Sequence, residues 1–533
     1  MKKALLRRLG LCLGGAVLVA LAFAGEVIAQ QPRRGGTVVA VIDTDPPSLN
    51  VAITNGATEN RVAGTIFSGL IWIDLKWQPQ PYLAESWTVT PDSRTYTFRL
   101  RRNVKWHDGK PFTSADVKFT FDEILAKYHP TSKAAFAHVS SVETPDLYTV
   151  VVRMKEPFAP FLPLLSVWSA PILPKHLYEG TDIFKNPYNL RPVGTGPFKF
   201  QDWSRGDRIV VVRNDDYFEP GQPYLDKIIF KMIPDVHARA IALETGQVDY
   251  IQDYFFGKDA YPRLSRLKDL VFQPDGDVPG NELLVFNVRK PPLSERKVRQ
   301  AIAYAIDRRL IIERVHAGLG APARSAIDSR LSWAYNPQVD YQKQYAYDPA
   351  KANALLDEAG FPRKADGSRF TLRVTFDIRR AGFLPIAEIF RDQLRAVGIQ
   401  LQLEGVERSV MVDKVYINWD FDMTIQNLTT GGDPAIGIQR IYICKDVRKA
   451  PFVNASGYCN KEVDDLFEKG ASLTTLTGRA EAYKKVQVIL ASDLPSLVLT
   501  EQGILDVARD RVKGMWQSRL AYSFWSPVWV AKD

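Results

Sequence analysis

The stretch that decides the fold runs from Leu83 to Phe121 and reads LAESWTVTPDSRTYTFRLRRNVKWHDGKPFTSADVKFTF. Its middle alternates apolar with polar residues, the period of a half-buried strand; the apolar members are Tyr96, Phe98 and Leu100. Asp108-Gly109 is a turn pair. Thr113 and Asp116 have the spacing of a capping box, and a helical stripe of apolar residues follows them. The stretch therefore predicts a strand, a tight turn and a capped helix.

The whole chain has 533 residues, which is enough for two or more domains with sizeable cores. Its hydrophobic fraction of 46% and charged fraction of 24% are ordinary for a globular protein. The formal charge of +9 is mild for this length, and the basic residues are interleaved with acidic ones. This pattern predicts a solvated surface and argues against nucleic acid as a partner.

The N-terminus has the three-part pattern of a secretory signal peptide. A basic head, with Lys2, Lys3, Arg7 and Arg8, precedes an uninterrupted run of apolar and small residues from 9 to 24. Val27-Ile28-Ala29 then offers small side chains before Gln30. We expect residues 1–29 to be a cleaved signal peptide. A membrane anchor is the alternative, although the run is short of the roughly 20 residues that a span needs.

Alternating and helical patterns further along the chain predict an α/β fold. Residues 37–42 read as a buried strand, and the loop that leaves it, with Asp45, is a candidate ligand contact. In the second half, a strand at 372–376, a helix face at 386–397 and a strand at 399–403 follow one another. This order predicts a right-handed parallel crossover.

Two cysteines, Cys444 and Cys459, remain after removal of the signal peptide. They are close in sequence, and a secreted protein reaches an oxidising compartment, so we expect a disulfide between them. A redox or metal role is the alternative, but the chain has no CxxC and no histidine near either cysteine.

The sequence gives no sign of catalysis. It contains no GxSxG, HExxH or Walker motif, and His107-Asp108 has no nucleophile paired with it. Its six histidines are scattered without metal-ligand spacing. The 11 Trp, 21 Tyr and 27 Phe instead favour recognition, because aromatic side chains bury much area with few rotatable bonds. We expect a binding protein with no cofactor and no metal.

Several stretches resemble, in order, the patterns of extracellular solute-binding proteins of family 5. These are the periplasmic dipeptide, oligopeptide, nickel and opine receptors of ABC importers. Besides Leu83–Phe121, the resembling stretches are PVGTGPFKFQDWSRGD (192–207), RNDDYF (213–218), VRQAIAYAIDRRLIIERVHAGLGAPA (298–323), AEIFRDQLRAVGIQLQLEGV (387–406) and NASGYCNKEVDDL (454–466).

The resemblance implies a two-lobed periplasmic-binding-protein fold of α/β class, type II and of the large cluster, with an extra α+β domain inserted in the first lobe. Lobe I would comprise residues 30–74, 195–287 and 500–533, the inserted domain 75–194, and lobe II 288–499. Two crossing segments, near Phe286-Asn287 and near Thr500, would form the hinge. A ligand would bind between the lobes, and the closed form would dock on the membrane permease.

The segment that bears most on the identity of the ligand is residues 425–436, IQNLTTGGDPAI. Peptide-binding relatives carry a pattern resembling GWxxDxxDP there, with an Asp that accepts the peptide amine and a Trp nearby. Here Asp433 keeps the final Asp, whereas Thr430 falls at the amine-binding position and Asn427 at the Trp position. A threonine offers no negative charge to an ammonium, so the usual capture of a peptide N-terminus is in doubt unless Asp433 or Asp420 substitutes.

Arg379-Arg380 falls near the arginine that holds the ligand carboxylate in dipeptide-type relatives, and a guanidinium fork suits a carboxylate. A solvated loop pair is the alternative. Further candidate ligand contacts are the aromatics Phe255, Phe256 and Trp168. A neutral Thr430 with a retained arginine favours an anionic or uncharged ligand over a zwitterionic peptide.

The leading interpretation is a monomeric periplasmic receptor that captures a peptide or related small organic solute and delivers it to an inner-membrane ABC permease. A nickel-chelate or opine receptor of the same family is one alternative. A secreted hydrolase is another, against which the missing nucleophile and base argue. A chaperone or sensory role on the same scaffold stays open.

Overall fold

The computed structural model describes most of the chain. The described residues are 31–54, 56–130, 132–274, 279–380, 382–429, 431–501, 503, 505–520 and 524–531. The predicted signal peptide, 1–29, and Thr430 both lie outside them.

The strands and helices follow one another along the whole described chain. The strands are β1 (Thr37–Ile42), β2 (Ile71–Ile73), β3 (Pro79–Pro81), β4 (Ala84–Val89), β5 (Thr95–Leu100), β6 (Val139–Asp146), β7 (Thr149–Met154), β8 (Phe198–Ser204), β9 (Arg208–Arg213), β10 (Lys227–Met232), β11 (Tyr250–Ile251), β12 (Leu270–Pro274), β13 (Gly280–Phe286), β14 (Ala321–Pro322), β15 (Phe370–Asp377), β16 (Ile399–Val406), β17 (Met423–Thr429), β18 (Ser496–Glu501), β19 (Leu505–Arg509), β20 (Val512–Lys513) and β21 (Trp529–Val530).

The longer helices are α1 (Ala57–Ala63), α2 (Ser114–Phe119), α3 (Val236–Glu244), α4 (Arg296–Ala305), α5 (Arg308–Arg314), α6 (Pro349–Glu358), α7 (Phe383–Ala396), α8 (Lys461–Ser472) and α9 (Leu476–Asp493). Shorter helical segments are Ala126–Tyr128, Ser132–Phe136, Phe161–Leu164, Lys175–Tyr178, Tyr261–Leu264, Tyr341–Gln344 and Arg408–Val412.

The first lobe is built on a seven-stranded sheet in the order β12-β19-β11-β1-β10-β9-β8. The predicted strand 37–42 is β1, which pairs in parallel with β10 and β11. Its alternate residues Val38, Ala40 and Ile42 join the main core, whereas Val41 packs in a second cluster with α3. Because both faces of β1 are buried, it forms the centre of this lobe.

The second lobe is built on a six-stranded sheet in the order β14-β18-β13-β17-β15-β16. β15 and β16 pair in parallel with Leu372 opposite Leu401, and α7 connects them, so the predicted crossover is confirmed. The buried face of α7 includes the predicted apolar positions Ile386, Phe390 and Leu394.

The sheets differ from the predicted lobe boundaries at two places. Thr500 and Glu501 were assigned to the first lobe but are the last residues of β18 in the second sheet. Residues 280–287 were assigned to the first lobe, but β13 (Gly280–Phe286) pairs with β17 and β18 of the second sheet. Every residue of β13 is buried between those two strands. A fully buried strand lacks the alternation that would reveal its sheet, so the sequence could not assign it.

Between β3 and β8 the chain forms a separate four-stranded sheet in the order β4-β5-β7-β6. The deciding stretch lies here, and α2 begins with the predicted capping box of Thr113 and Asp116. His107 ties this part to the segment before β8: its Nδ1 accepts the Gly194 N–H at 3.2 Å and its Nε2 donates to the Gly196 carbonyl at 3.0 Å. His107 therefore has a structural role.

Two further predictions concern the disulfide and the fold class. Cys444 and Cys459 form a disulfide, as predicted. The two-lobed α/β architecture is also confirmed. Among the described residues, no helix has the length and apolar character needed to cross a bilayer.

Candidate functional site

The two lobes approach each other at the loops that follow β11 and β15. The guanidinium carbon of Arg380, after β15, lies 5.5 Å from the centre of the Tyr254 ring, after β11. Tyr254 is 47% exposed although it is a large aromatic residue. Loops at strand ends that face each other across two sheets are where such folds bind ligands. The gap between these loops is therefore the candidate site.

A buried carboxylate holds the loop that carries the two arginines. Asp377, the last residue of β15, accepts the backbone N–H of Arg379 at 3.1 Å through its side chain. Its carbonyl accepts the backbone N–H of Arg380 at 3.1 Å. The turn therefore places both arginine side chains beside the carboxyl end of β15.

The two arginines have different surroundings. Arg379 has a side chain 62% exposed, and its Nε lies 2.9 Å from the Glu407 carboxylate. Arg380 is half-buried and has no ion pair with another described residue. An unpaired guanidinium in a cleft can hold a carboxylate. The geometry thus separates the two candidates and favours Arg380 as the anion contact.

A polar cluster lies in the same wall of the second lobe, on β13 and β18. His316 Nε2 donates to Glu282 Oε2 at 2.7 Å, and Thr500 Oγ1 donates to the same oxygen at 2.7 Å. Burial alone would raise the pKa of Glu282, but the hydrogen bond and the charge of His316, followed by the hydrogen bond from Thr500 and the charge of Lys258, hold it below its usual value. Glu282 is therefore a carboxylate at neutral pH.

The segment predicted to read the ligand divides into an exposed and a buried part. Asn427, on β17, is exposed and lies opposite Glu282 in the adjacent strand. Asp433 is buried, with one carboxylate oxygen 2.6 Å from Arg479 Nη2 and the other accepting the Ala435 N–H at 3.0 Å. Both oxygens of Asp433 are thus engaged within the second lobe.

Asp433 is joined to α9 by its ion pair with Arg479. Burial would lower the pKa of Arg479, but the Asp433 carboxylate raises it above its usual value. The Arg479 side chain also lies near the Trp333 ring, 5.0 Å from its centre. This pair fixes the turn after β17 against α9.

Asp420, the other acid that could replace the amine contact, is also engaged. Arg373 Nη2 donates to it at 2.5 Å and Lys414 Nζ donates at 3.2 Å. The hydrogen bond from Arg373 is the main cause that lowers the pKa of Asp420. Asp420 is therefore part of a surface ion-pair network.

The remaining predicted contacts lie in the first lobe. Asp45 accepts hydrogen bonds from Trp203 Nε1 and from the Gly206 N–H, both at 2.8 Å, so it holds a turn. Phe255 and Phe256 are 1% and 6% exposed and belong to the core around α3. Trp168 is half-buried, and the Arg61 guanidinium lies 5.8 Å from its ring centre.

A surface depression of about 570 Å³ lies on one face of the first sheet. Its described lining comes from the first lobe, with Val39, Val210 and Ile229 surrounded by charged residues such as Lys227 and Lys231. It does not join the two lobes. Within the described ranges, no His, Cys, Asp and Glu side chains are grouped so as to hold a metal ion.

Sequence reasoning missed Tyr254, Glu282 and His316. Tyr254 is adjacent to the two phenylalanines that were chosen, and only the turn geometry shows which ring is exposed. Glu282 could have been found from the sequence, because it is a charged residue directly before the apolar run LLVF, residues 283–286. His316 lies 34 residues from its partner, so no local pattern connects them.

Comparison with known proteins gives a consistent result. A model of the bacterial extracellular solute-binding proteins, family 5 Middle, matches residues 78–447. The oligopeptide-binding protein AppA of Bacillus subtilis (strain 168) is 29% identical over 486 residues, 88% of this chain and 86% of that protein. The structure of AppA from B. subtilis in complex with a nonapeptide has a TM-score of 0.78 at 28% identity and covers 94% of this chain and 100% of that chain.

Two further solved structures are similar over nearly the whole chain. One is the ABC transporter-associated periplasmic binding protein DppA from Helicobacter pylori in complex with the peptide STSA; its TM-score is 0.79 at 25% identity, with 94% of this chain and 99% of that chain covered. The other is the binding protein AgaA from A. tumefaciens R10 in complex with agropinic acid, with a TM-score of 0.77, 26% identity and coverage of 93% and 99%.

Proposed function

We propose, from the premise that this chain belongs to the bacterial extracellular solute-binding proteins of family 5, that it delivers a small carboxylated solute to an ABC importer. The family consists of binding receptors and not of enzymes, so the expected lack of enzymatic activity is confirmed. The receptor works in the periplasm as a monomer, closes its two lobes over the solute and docks on the membrane permease. The ABC transporter-associated relative from H. pylori supports this role.

Arg380 is the observation that carries the proposal. It stands on the second lobe, reaches the exposed Tyr254 of the first lobe, and has no ion pair with another described residue. A solute carboxylate that reaches this contact would meet the Arg380 guanidinium, with the Tyr254 ring beside it. Its contact with Arg380 would stabilise the closed form only so far as that form binds it better than the open form.

The solute is not held by the usual ammonium contact. Thr430 brings no charge, and the two acids that could replace it are engaged: Asp433 with Arg479, and Asp420 with Arg373 and Lys414. Withdrawing Asp433 from Arg479 would leave a buried cation unpaired, which is costly, and Asp420 is already held at the surface by two cations. The second end of the solute is therefore anionic or uncharged.

A carboxylated solute that is not a peptide is compatible with this scaffold. The relative AgaA was solved with agropinic acid at 26% identity to this chain. Peptides remain the competing class, because AppA and the H. pylori protein were solved with them. The two classes differ in the charge of the end that lies away from the carboxylate. A peptide carries an ammonium there, whereas the proposed solute carries a negative charge or none.

A thermal-shift screen followed by calorimetry tests the proposal. The screen compares ordinary dipeptides, opine-like acids and simple organic acids, since a ligand that binds only the folded state raises the melting temperature. Each ligand found is then titrated into wild type, Arg380→Ala and Arg379→Ala. We expect Arg380→Ala to weaken binding about 30-fold or more, the cost of about 2 kcal/mol for an unpaired charge, and Arg379→Ala to change it little. Tight dipeptide binding that depends on Thr430 but not on Arg380 would contradict the proposal.

A further inference from the structure

Trp77 contacts both lobes at once. It lies in the turn between β2 and β3, and its half-buried side chain packs against the main core of the first lobe and against the core of the second. Its partner in the second lobe is Gly432, in the turn after β17. Because β17 pairs in parallel with β15, this contact lies at the same edge of the second sheet as that of Arg380 with Tyr254. The indole N–H is buried without a hydrogen-bond partner, so packing and not a hydrogen bond holds the ring in place.

Gly432 leaves the space that the Trp77 ring occupies. A Cβ on residue 432 would stand 2.7 Å from Cε3 and 3.0 Å from Cζ3 of Trp77, closer than non-bonded carbon atoms approach each other. The φ of Gly432 lies outside the left-handed region, so its backbone does not require glycine. Glycine weakens a fold through the freedom of the unfolded chain. The approach of Trp77 is the physical reason for a residue without a Cβ here.

The turn between β2 and β3 holds Trp77 in a strained backbone conformation. Its φ is +62°, in a region that is unfavourable for residues with a Cβ and where glycine is the usual residue. The Trp77 N–H donates to the Asp74 carbonyl at 3.1 Å. The Asp74 side chain accepts the N–H groups of Lys76 at 2.8 Å and Gln78 at 2.9 Å. Strain of this kind persists where the surrounding structure enforces it, and it points to a use for the side chain.

Each lobe fixes its own half of this contact. In the first lobe the C-terminal segment holds the turn of Trp77, because Ser518 Oγ donates to the Ile73 carbonyl at 2.6 Å. In the second lobe the buried ion pair of Asp433 holds the turn of Gly432. The contact can therefore form and break as the lobes move relative to each other, without a change in either turn.

Two further residues of the second lobe reach the first. Ile436, four residues after Gly432, and Ala471 of α8 both pack against the main core of the first lobe. The Ala159 N–H donates to the Ala471 carbonyl at 2.9 Å, so a backbone hydrogen bond also joins the region between β3 and β8 to α8. Trp77 thus belongs to a set of contacts that hold the two lobes together.

We infer that the packing of Trp77 on Gly432 is a closing contact of the receptor, which sets the population of the closed form. The inference rests on the proposed function only in that the two lobes close over a solute. A contact made by the closed form alone favours that form whatever the chemistry of the solute. The apparent affinity for every solute then scales with the fraction of receptor that is closed. Trp77 thus adjusts the affinity without a contact to the solute.

Two single variants and their combination test the inference on the full mature chain, dialysed from urea to remove any solute carried through purification. Trp77→Ala removes the ring, and Gly432→Ala keeps the ring but blocks its approach. Each should give a larger radius of gyration than wild type in small-angle X-ray scattering. The double variant should be no larger than Trp77→Ala alone, because the added methyl group then meets no ring. Gly432→Ala also serves if Trp77→Ala fails to fold.

Hydrogen exchange at Ala159 is a second readout, because its N–H is donated across the lobes and is released when they open. A peptide that contains Ala159 should exchange about tenfold faster in each single variant than in wild type. A peptide that contains His107, whose N–H donates to the Gly194 carbonyl at 2.9 Å within the region between β3 and β8, should keep the wild-type rate. Trp87→Ala is the matched control, because it removes a half-buried tryptophan that packs against the main core of the first lobe. It should leave the radius and the exchange at Ala159 unchanged.

The outcomes separate the two proposals. The inference is overturned if both single variants keep the wild-type radius and the wild-type exchange at Ala159, or if Gly432→Ala opens the lobes further in the Trp77→Ala chain. The proposed function then still stands, because calorimetry with Arg380→Ala tests it separately. If the variants open the lobes while Arg380→Ala leaves solute binding unchanged, the closing contact stands and the proposed function is wrong.

Discussion

The guanidinium of Arg380 lies 5.5 Å from the ring centre of Tyr254, so a cation of the second lobe meets an aromatic ring of the first. The two residues are 126 positions apart in the sequence, and they follow strands of two different sheets. The contact brings together a guanidinium without an ion pair among the described residues and a half-exposed aromatic ring. That combination is what a small carboxylated solute requires of a cleft.

The first prediction concerns Tyr254. Tyr254→Ala should weaken solute binding about tenfold, because it removes both the ring surface and a cation–π contact worth about 0.5–2 kcal/mol. Tyr254→Phe keeps the ring and should stay within about twofold of wild type. Calorimetry with the solute found in the thermal-shift screen measures both. Equal losses in the two variants would assign the effect to the hydroxyl and contradict this role.

The second prediction concerns the buried pair of Asp433 and Arg479. Arg479→Met should lower the free energy of unfolding by about 3–5 kcal/mol, because it leaves a buried carboxylate without its cation. Urea denaturation measures the loss. Solute affinity of the folded variant should change little, since both oxygens of Asp433 face the second lobe. A stable variant that no longer binds solute would show that Asp433 is a ligand contact after all.

The third prediction concerns the disulfide between Cys444 and Cys459, which are separated by 15 residues. Closing a loop of that length stabilises a fold by about 3 kcal/mol through the unfolded state. The double variant Cys444→Ser with Cys459→Ser should melt at a lower temperature than oxidised wild type. Reductant should lower the melting temperature of wild type and leave that of the variant unchanged; an equal effect on both would contradict the account.

The fourth prediction concerns pH and two histidines of the region between β3 and β8, of which His129 is buried and His107 half-buried. Burial lowers the pKa of His107 and that of His129 to about 4 each. A group whose folded-state pKa is depressed contributes stability above its unfolded pKa, near 6.5, and that stability is lost as the pH falls towards 4. As the pH falls from 6.5 to 5, each histidine should lower the free energy of unfolding by about 2 kcal/mol.

Urea denaturation at pH 7 and pH 5 measures this loss. The double variant His107→Gln with His129→Gln should lose less stability over that interval than wild type. His237→Gln is the control, because the His237 side chain is 72% exposed, and it should keep the wild-type dependence. The same pH dependence in the double variant would contradict the assignment.

Local periodicity was enough to predict much of the fold. The strand at 37–42, the capping box of Thr113 and Asp116, and the crossover through α7 were all read from spacing. These features depend on neighbours within one element, and the sequence displays them directly. β13 was placed in the wrong lobe because a strand buried on both faces carries no alternation.

The candidate site was less predictable, because its properties depend on distant partners. Whether Asp433 is free depends on Arg479, 46 residues later, and whether Arg379 is free depends on Glu407. Tyr254 and Phe255 are both aromatic, and only the three-dimensional turn separates the exposed ring from the core ring. The roles of the predicted ligand contacts, Asn427 and Thr430 among them, stay predictions.

Native mass spectrometry of the protein purified from the cells that make it tests the central claim most directly. Wild type and Arg379→Ala should each carry one small carboxylated organic solute, released on denaturation, whereas Arg380→Ala should be purified without it. The account would be contradicted if Arg380→Ala kept the same solute as wild type, or if wild type carried none.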